Sequence, residues 1–229
     1  MKRFMNLTFQ DCLFLIFSAF FFFGCIASMH RSGKTLDAKQ ASFSGSYLRA
    51  NNLEESDAEP VKLIALDSRL GIGYKVDIGL AHTFDISKNN DNAFNTIWGD
   101  VRIQLTNRDN QIGRPILTSG IMKGYIYDKD TKLHVTTFPF ILSFPVSDRF
   151  TPFVKYRFEL IKDDFIPDTF KEPRHTFAAG FEFDFSGPSS TNIIPKIGFT
   201  IGTFNSLTGG EGNRGLILNF GFILDLPKK

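Results

Sequence analysis

The chain has 229 residues, room for one large β domain, and its 26 Lys+Arg against 24 Asp+Glu leave a formal net charge of +2. The two signs are interspersed without a Lys/Arg cluster, which excludes a nucleic-acid-binding surface. A mean hydropathy of −0.07 excludes a bundle of membrane helices, yet 14% of the residues are aromatic and 27 are Phe. No fixed-period repeat and no long low-complexity tract interrupts the sequence.

The N-terminus reads as an export signal. Lys2 and Arg3 precede the uninterrupted apolar run "CLFLIFSAFFFF" (12–23), which is too short to span a bilayer as a helix and is followed by small residues. The "FFGC" at 22–25 resembles the lipobox of bacterial lipoproteins, in which a small residue precedes the cysteine that becomes lipidated. Gly24 and Cys25 fit it and Phe22 and Phe23 depart from it. Ordinary signal-peptidase cleavage after Ala27 is the competing reading. The mature chain keeps at most one cysteine and so has no internal disulfide. The domain plan is a signal peptide over 1–24, a lipid-anchored periplasmic tether over 25–40, polar and unpatterned, and a β-barrel over 41–229.

From there apolar residues recur with a period of two, the spacing of strands. "PVKLIALDSRLGIGY" places Ile64, Leu66, Leu70, Ile72 and Tyr74 on one parity. After a turn near Lys75–Asp77, "DIGLAHTFDI" continues it with Ile78, Leu80, Phe84 and Ile86. "IWGDVRIQL" sets Val101, Ile103 and Leu105 against Asp100, Arg102 and Gln104, and "GIMKGYIYD" alternates less cleanly. "HVTTFPFILSF" follows, with Pro139 where a closed barrel needs every backbone N–H paired. "FTPFVKYRFEL" opposes Val154, Tyr156 and Phe158 to Lys155, Arg157 and Glu159, and "RHTFAAGFEFDF" opposes Phe181 and Phe183 to Glu182 and Asp184. "IIPKIGFTIGTF" and "GLILNFGFILDL" end the series. With a further strand at 41–49 the count is ten, eight remaining possible.

The alternation fits both a soluble barrel with its oil inside and a membrane barrel with its oil outside. Three features favour the second. Many strands reach the ten or so residues that a tilted membrane strand needs, where soluble strands average about five or six. The polar parity is rich in glycine, at Gly71, Gly73, Gly79, Gly180, Gly198, Gly202 and Gly221, as suits a narrow interior. The oily parity is almost wholly bulky. The fold class is therefore an all-β, antiparallel up-and-down transmembrane β-barrel. Its connections are 50–60, 75–77, 87–95, 107–115, 128–131, 145–149, 162–173, 186–192 and 205–213. Starting in the periplasm, the first and every second one thereafter face outward, and four of those five are long.

"SRLGIGYKVDIGLAHTF", then "WGDVRIQL" and later "FPVSDRFTPFVKY" resemble the transporter-type barrels of bacterial outer membranes. The resemblance covers most of 60–226 and is one of pattern. It implies a membrane barrel of the bacterial outer membrane and supplies no catalytic residues. The ending "FILDLPKK" departs from the aromatic terminus usual in such chains.

The charged parity supplies the candidate lumen residues Asp100, Arg102, Lys123, Lys155, Arg157, Glu159, Glu182, Asp184 and Lys196. They form either a salt-bridged plug or a narrow selective pore. Eight strands are filled by side chains and wide channels need sixteen or more, so ten favours the plug. No Asp-x-His occurs, and His30, His82, His134 and His175 lie far apart, with His30 in the tether and His175 reading as an interfacial residue. "TGGEGNR" (208–214) joins two strands and reads as a loop rather than a phosphate cradle. No enzyme, metal or cofactor is expected. The reading is an outer-membrane β-barrel lipoprotein of structural, surface or limited-transport type, with outer-membrane lipid and the barrel-assembly machinery as partners. The alternative is a lipid-tethered, soluble periplasmic lipocalin-like carrier of an apolar ligand.

Overall fold

A computed structural model of the chain describes residues 30–52, 60–87, 94–106, 112–127, 132–163, 170–186, 193–206 and 214–226. The signal peptide, Cys25, the Ala27 cleavage position and loop residues 208–213 lie outside the described residues. Ten antiparallel strands are present: β1 (Ala41–Asn52), β2 (Val61–Gly73), β3 (Val76–Asp85), β4 (Asn95–Gln104), β5 (Ile116–Tyr127), β6 (Lys132–Ser143), β7 (Phe150–Asp163), β8 (Phe170–Asp184), β9 (Ile194–Ser206) and β10 (Arg214–Leu226). Each pairs with its neighbour in sequence, and β1 pairs with β10 from Ala41↔Leu226 to Asn52↔Gly215, closing the sheet into a barrel. Closure leaves no strand edge unpaired, the condition a sheet must meet in hydrocarbon.

The register answers which way the oil faces. Leu66, Leu80, Ile103, Val154, Phe177, Ile201 and Phe220 are exposed on the outside, while Ser44, Asp67, Asp77, Arg102, Glu159 and Asn219 on the other parity are buried inside. A water-soluble barrel would invert this. The outer face of a closed, ten-stranded antiparallel barrel carrying this apolar belt is the face of an integral outer-membrane barrel. Polar groups within the belt satisfy one another: Tyr156 Oη lies 2.7 Å from His175 Nδ1, and His82 Nε2 lies 3.2 Å from Tyr127 Oη.

Both ends of the described barrel, Ala41 and Leu226, lie at one rim, here the terminal rim; the opposite one is the far rim. Connections at the far rim are 53–60, 86–94, 128–131, 164–169 and 207–213, and those at the terminal rim are 74–75, 105–115, 144–149 and 185–193. Long connections occur at both rims, so loop length does not separate the two sides as the sequence pattern suggests. The tightest is Tyr74–Lys75, with Lys75 at φ 67°. Asp77, expected in that turn, belongs to β3 and points inward. Pro139 sits inside β6 without a register shift; on the β5 side the rungs Gly120–Pro139 and Ile121–Phe138 are missing, while Pro139 still opposes Arg157 of β7. The missing N–H thus costs a short gap in one ladder rather than a bulge.

Candidate functional site

A ten-stranded interior is wider than one that side chains alone fill, and here it is filled in two layers. Towards the far rim most inward positions are apolar, although Glu159 of β7 and Arg174 of β8 face one another there. Leu48, Leu63, Trp98, Met122, Ile126, Leu133, Val135, Ile161, Phe204 and Ile217 form one buried cluster. Trp98 Nε1 donates to Thr96 Oγ1 at 2.7 Å, satisfying the one polar atom of the ring. A Cβ on Gly124 would run into the Trp98 ring, so this glycine makes the space in which the indole lies.

Towards the terminal rim charged side chains gather at the inward positions, beside a few apolar ones such as Phe153 and Ile223. Arg69 of β2 forks onto Asp100 of β4 (Nη1–Oδ1 3.1 Å, Nη2–Oδ2 2.8 Å) and also meets Asp77 of β3 at 2.6 Å. Arg102 forks onto the same Asp77, Nε–Oδ1 at 3.1 Å and Nη2–Oδ2 at 3.0 Å. Across the lumen, Lys196 of β9 bridges Glu182 of β8 at 3.2 Å and Asp225 of β10 at 2.7 Å. Paired forks of this kind are the geometry in which buried charges are tolerated.

Residues 30–40 lie between these walls. They were expected to belong to a tether outside the barrel, and the structure corrects this: His30, Arg31, Ser32, Thr35 and Leu36 are buried within the lumen. The wall supplies the partners that a buried extended backbone requires. Arg31 pairs with Asp67 at 3.0 Å and donates to Ser42 Oγ at 2.7 Å. The Ser32 amide donates to Glu182 Oε2 at 2.9 Å, the Gly33 amide to Ser143 Oγ at 2.8 Å, and the Leu36 amide to Asp77 Oδ2 at 3.2 Å. Thr118 Oγ1 donates to the Gly33 carbonyl. The Lys39 amide donates to the Gly71 carbonyl and the Gly71 amide to the Gln40 carbonyl, both at 2.9 Å, so the segment leaves the lumen as a short addition to β2. Two glycines of the polar parity now have a reason. A Cβ on Gly198 would strike the His30 carbonyl and one on Gly221 the His30 ring, so the wall is thinned where the segment crosses. Neither His30 ring nitrogen has a hydrogen-bond partner among the described residues. A polar cavity of about 220 Å³ remains between the segment and the wall, lined by Lys34, Asp37, Glu182, Asp184, Lys196 and Asp225.

Of the candidate lumen residues, Asp100, Arg102, Lys155, Arg157, Glu159, Glu182, Asp184 and Lys196 are at inward positions. Lys123 is not. It faces outward beside Ile121 and Tyr125, because β5 turns Met122 and Gly124 inward against Trp98. Asp67, Arg69, Asp77 and Asp225 also line the charged layer although none was singled out; Asp67 and Arg69 lie opposite in parity to Leu66 and Leu70, which was the available signal. His82, His134 and His175 all sit on outward strand positions, and among the described residues no group of His, Cys, Asp and Glu is placed to hold a metal.

No family model and no curated protein sequence matches the chain. Among solved structures it is similar to the outer membrane protease OmpT of Escherichia coli (10% identity over 85% of this chain and 98% of that one, TM-score 0.38). It is also similar to the β domain of the Bordetella autotransporter BrkA (10% identity, 82% and 99% covered, TM-score 0.41). Neisserial surface protein A gives 6% identity, 83% and 96% covered, and a TM-score of 0.33. At these values the likeness transfers no activity to this chain.

Proposed function

We propose that this protein is a closed, non-enzymatic β-barrel lipoprotein of the bacterial outer membrane, with a structural or surface role rather than that of a diffusion pore. One observation carries the reading: the lumen is occupied at two levels, by the apolar cluster around Trp98 and by residues 30–36 within the charged layer. The belt of exposed apolar side chains supports the membrane location, and among the described residues the interior space that a lipocalin-like carrier would use for cargo is taken by side chains and by residues 30–36. The terminal rim faces the periplasm, the side from which an exported N-terminus enters. Cys25 is the lipid anchor. His30 is five residue steps along the chain from it, about 17 Å when extended. About 13 Å of strand lies between Ile194 at the rim and Gly198 beneath His30. The anchor therefore reaches the inner leaflet with the segment in place.

Two experiments test this. In planar bilayers the full chain gives little or no conductance, and removing residues 30–36 does not by itself create a wide channel, because the apolar layer remains. Steady, large wild-type channels would overturn the closed reading. Palmitate labelling tags the wild type and misses Cys25→Ser; a mature chain beginning at Ser28 without acyl groups would overturn the anchor and leave the barrel reading intact.

A further inference from the structure

The described charges on outward strand positions are of one sign. Among strand residues whose side chains are described, the charged ones on outward positions are Arg49, Lys62, Lys123, Lys132, Lys162 and Arg214, all in the half towards the far rim. The strand carboxylates whose side chains are described, Asp77, Asp100 and Glu182 among them, are on inward positions. Cations without carboxylates on a lipid-facing surface attract anionic lipid headgroups.

Five of these residues sit within the first or last few positions of their strands. Lys123 is deeper, four residues below the end of β5, where a bare ammonium is costly in hydrocarbon. It borders an outward groove of about 380 Å³ that crosses β5, β6 and β7. Lys123 stands opposite Thr136, and His134 stands opposite Lys162. The two lysines are thus two strands and two residues apart, about 12 Å between Cα atoms, and their flexible stems can converge above β6. Among the described residues neither ammonium has a carboxylate partner. Level with Lys123 and below it, away from the far rim, the groove is floored by Leu160, Ile121 and Phe138. A cationic mouth over an apolar channel, open sideways to the bilayer, has the form of a phospholipid head and its chains.

We propose that the β5–β7 groove binds one phosphate-bearing lipid of the far-rim leaflet, its phosphate held between Lys123 and Lys162 and its acyl chains along Phe138 and Leu160. The inference rests on the membrane reading above, and the experiment separates the two. Trp98→Phe removes the native tryptophan of the full chain and Phe138→Trp places a reporter in the groove. The protein is folded into phosphatidylcholine vesicles containing a minor share of phosphatidylglycerol, with bromine on one lipid at a time. Brominated phosphatidylglycerol should quench about fivefold above its share of the bilayer. With Lys123→Gln and Lys162→Gln together it should quench only in proportion, while brominated phosphatidylcholine quenches as before. Lys62→Gln, a remote outward cation, should leave the enrichment unchanged. Quenching by phosphatidylcholine with no excess for phosphatidylglycerol overturns the site and spares the membrane reading; so does an excess that Lys62→Gln abolishes equally. No quenching by either lipid in the folded protein overturns both. On the unsubstituted chain, native mass spectrometry from mixed micelles should retain phosphatidylglycerol in preference to phosphatidylcholine, and equal retention counts against the site.

Discussion

The two halves of the lumen solve the same problem by opposite means. Towards the far rim, side chains from all round the wall meet directly, and Leu48, Leu63, Trp98, Leu133 and Ile217 pack as the core of a small soluble protein would. Towards the terminal rim the wall is thinned by Gly198 and Gly221 and lined with charge, and the space is taken by a segment of the same chain. The apolar half needs no filler because its residues are large. The charged half needs one because paired forks hold side chains against the wall instead of across the lumen. Asp77 ties the charged wall to the segment: it holds Arg69, Arg102 and the Leu36 amide at once.

That contrast predicts different failures. Asp77→Ala leaves two buried guanidinium groups without their shared partner, and truncating one side of a buried charge pair costs about 3–5 kcal/mol. It should give the largest loss in urea unfolding from lipid vesicles, followed by Trp98 fluorescence, and should also free residues 30–36 to limited proteolysis. Leu133→Ala opens a cavity in the apolar layer at about 2–4 kcal/mol, and here the segment should stay protected. Release of the segment by Leu133→Ala would show that the halves are one unit. Gly221→Val forces a side chain into the space of the His30 ring. A loss of about 1–3 kcal/mol should appear as faster hydrogen exchange over 30–36, with the strand amides near the far rim unchanged. Leu218→Ile, which exchanges one apolar side chain for another against lipid, should stay within about 0.5 kcal/mol.

The wall was legible in the sequence and its contents were not. Strict alternation set the ten strands within a few residues of their bounds, and it placed Lys155, Arg157 and Glu159 opposite Val154, Tyr156 and Phe158. Lys123 misled because its charge suggested an inward position, whereas the parity of its neighbours Ile121, Tyr125 and Tyr127 put it outside. Inward apolar residues such as Val135 and Leu133 were obscured because periodicity separates two faces without saying what each one touches. Residues 30–40 carry no periodicity at all, since an extended segment held by wall side chains takes its order from tertiary contacts. Its trace was indirect, in the glycines that make way for it.

Residues 30–36 lie inside the barrel. A Cβ placed on Gly33 would stand 3.2 Å from Ser143 Oγ of β6, close to the Cβ-to-sulfur separation across a disulfide. Gly33→Cys and Ser143→Cys, introduced together into the full chain and folded in lipid under mild oxidant, should link, and digestion should yield the 33–143 peptide pair in most of the folded protein. Two free thiols at these positions in a folded, membrane-inserted barrel would place residues 30–36 outside the lumen.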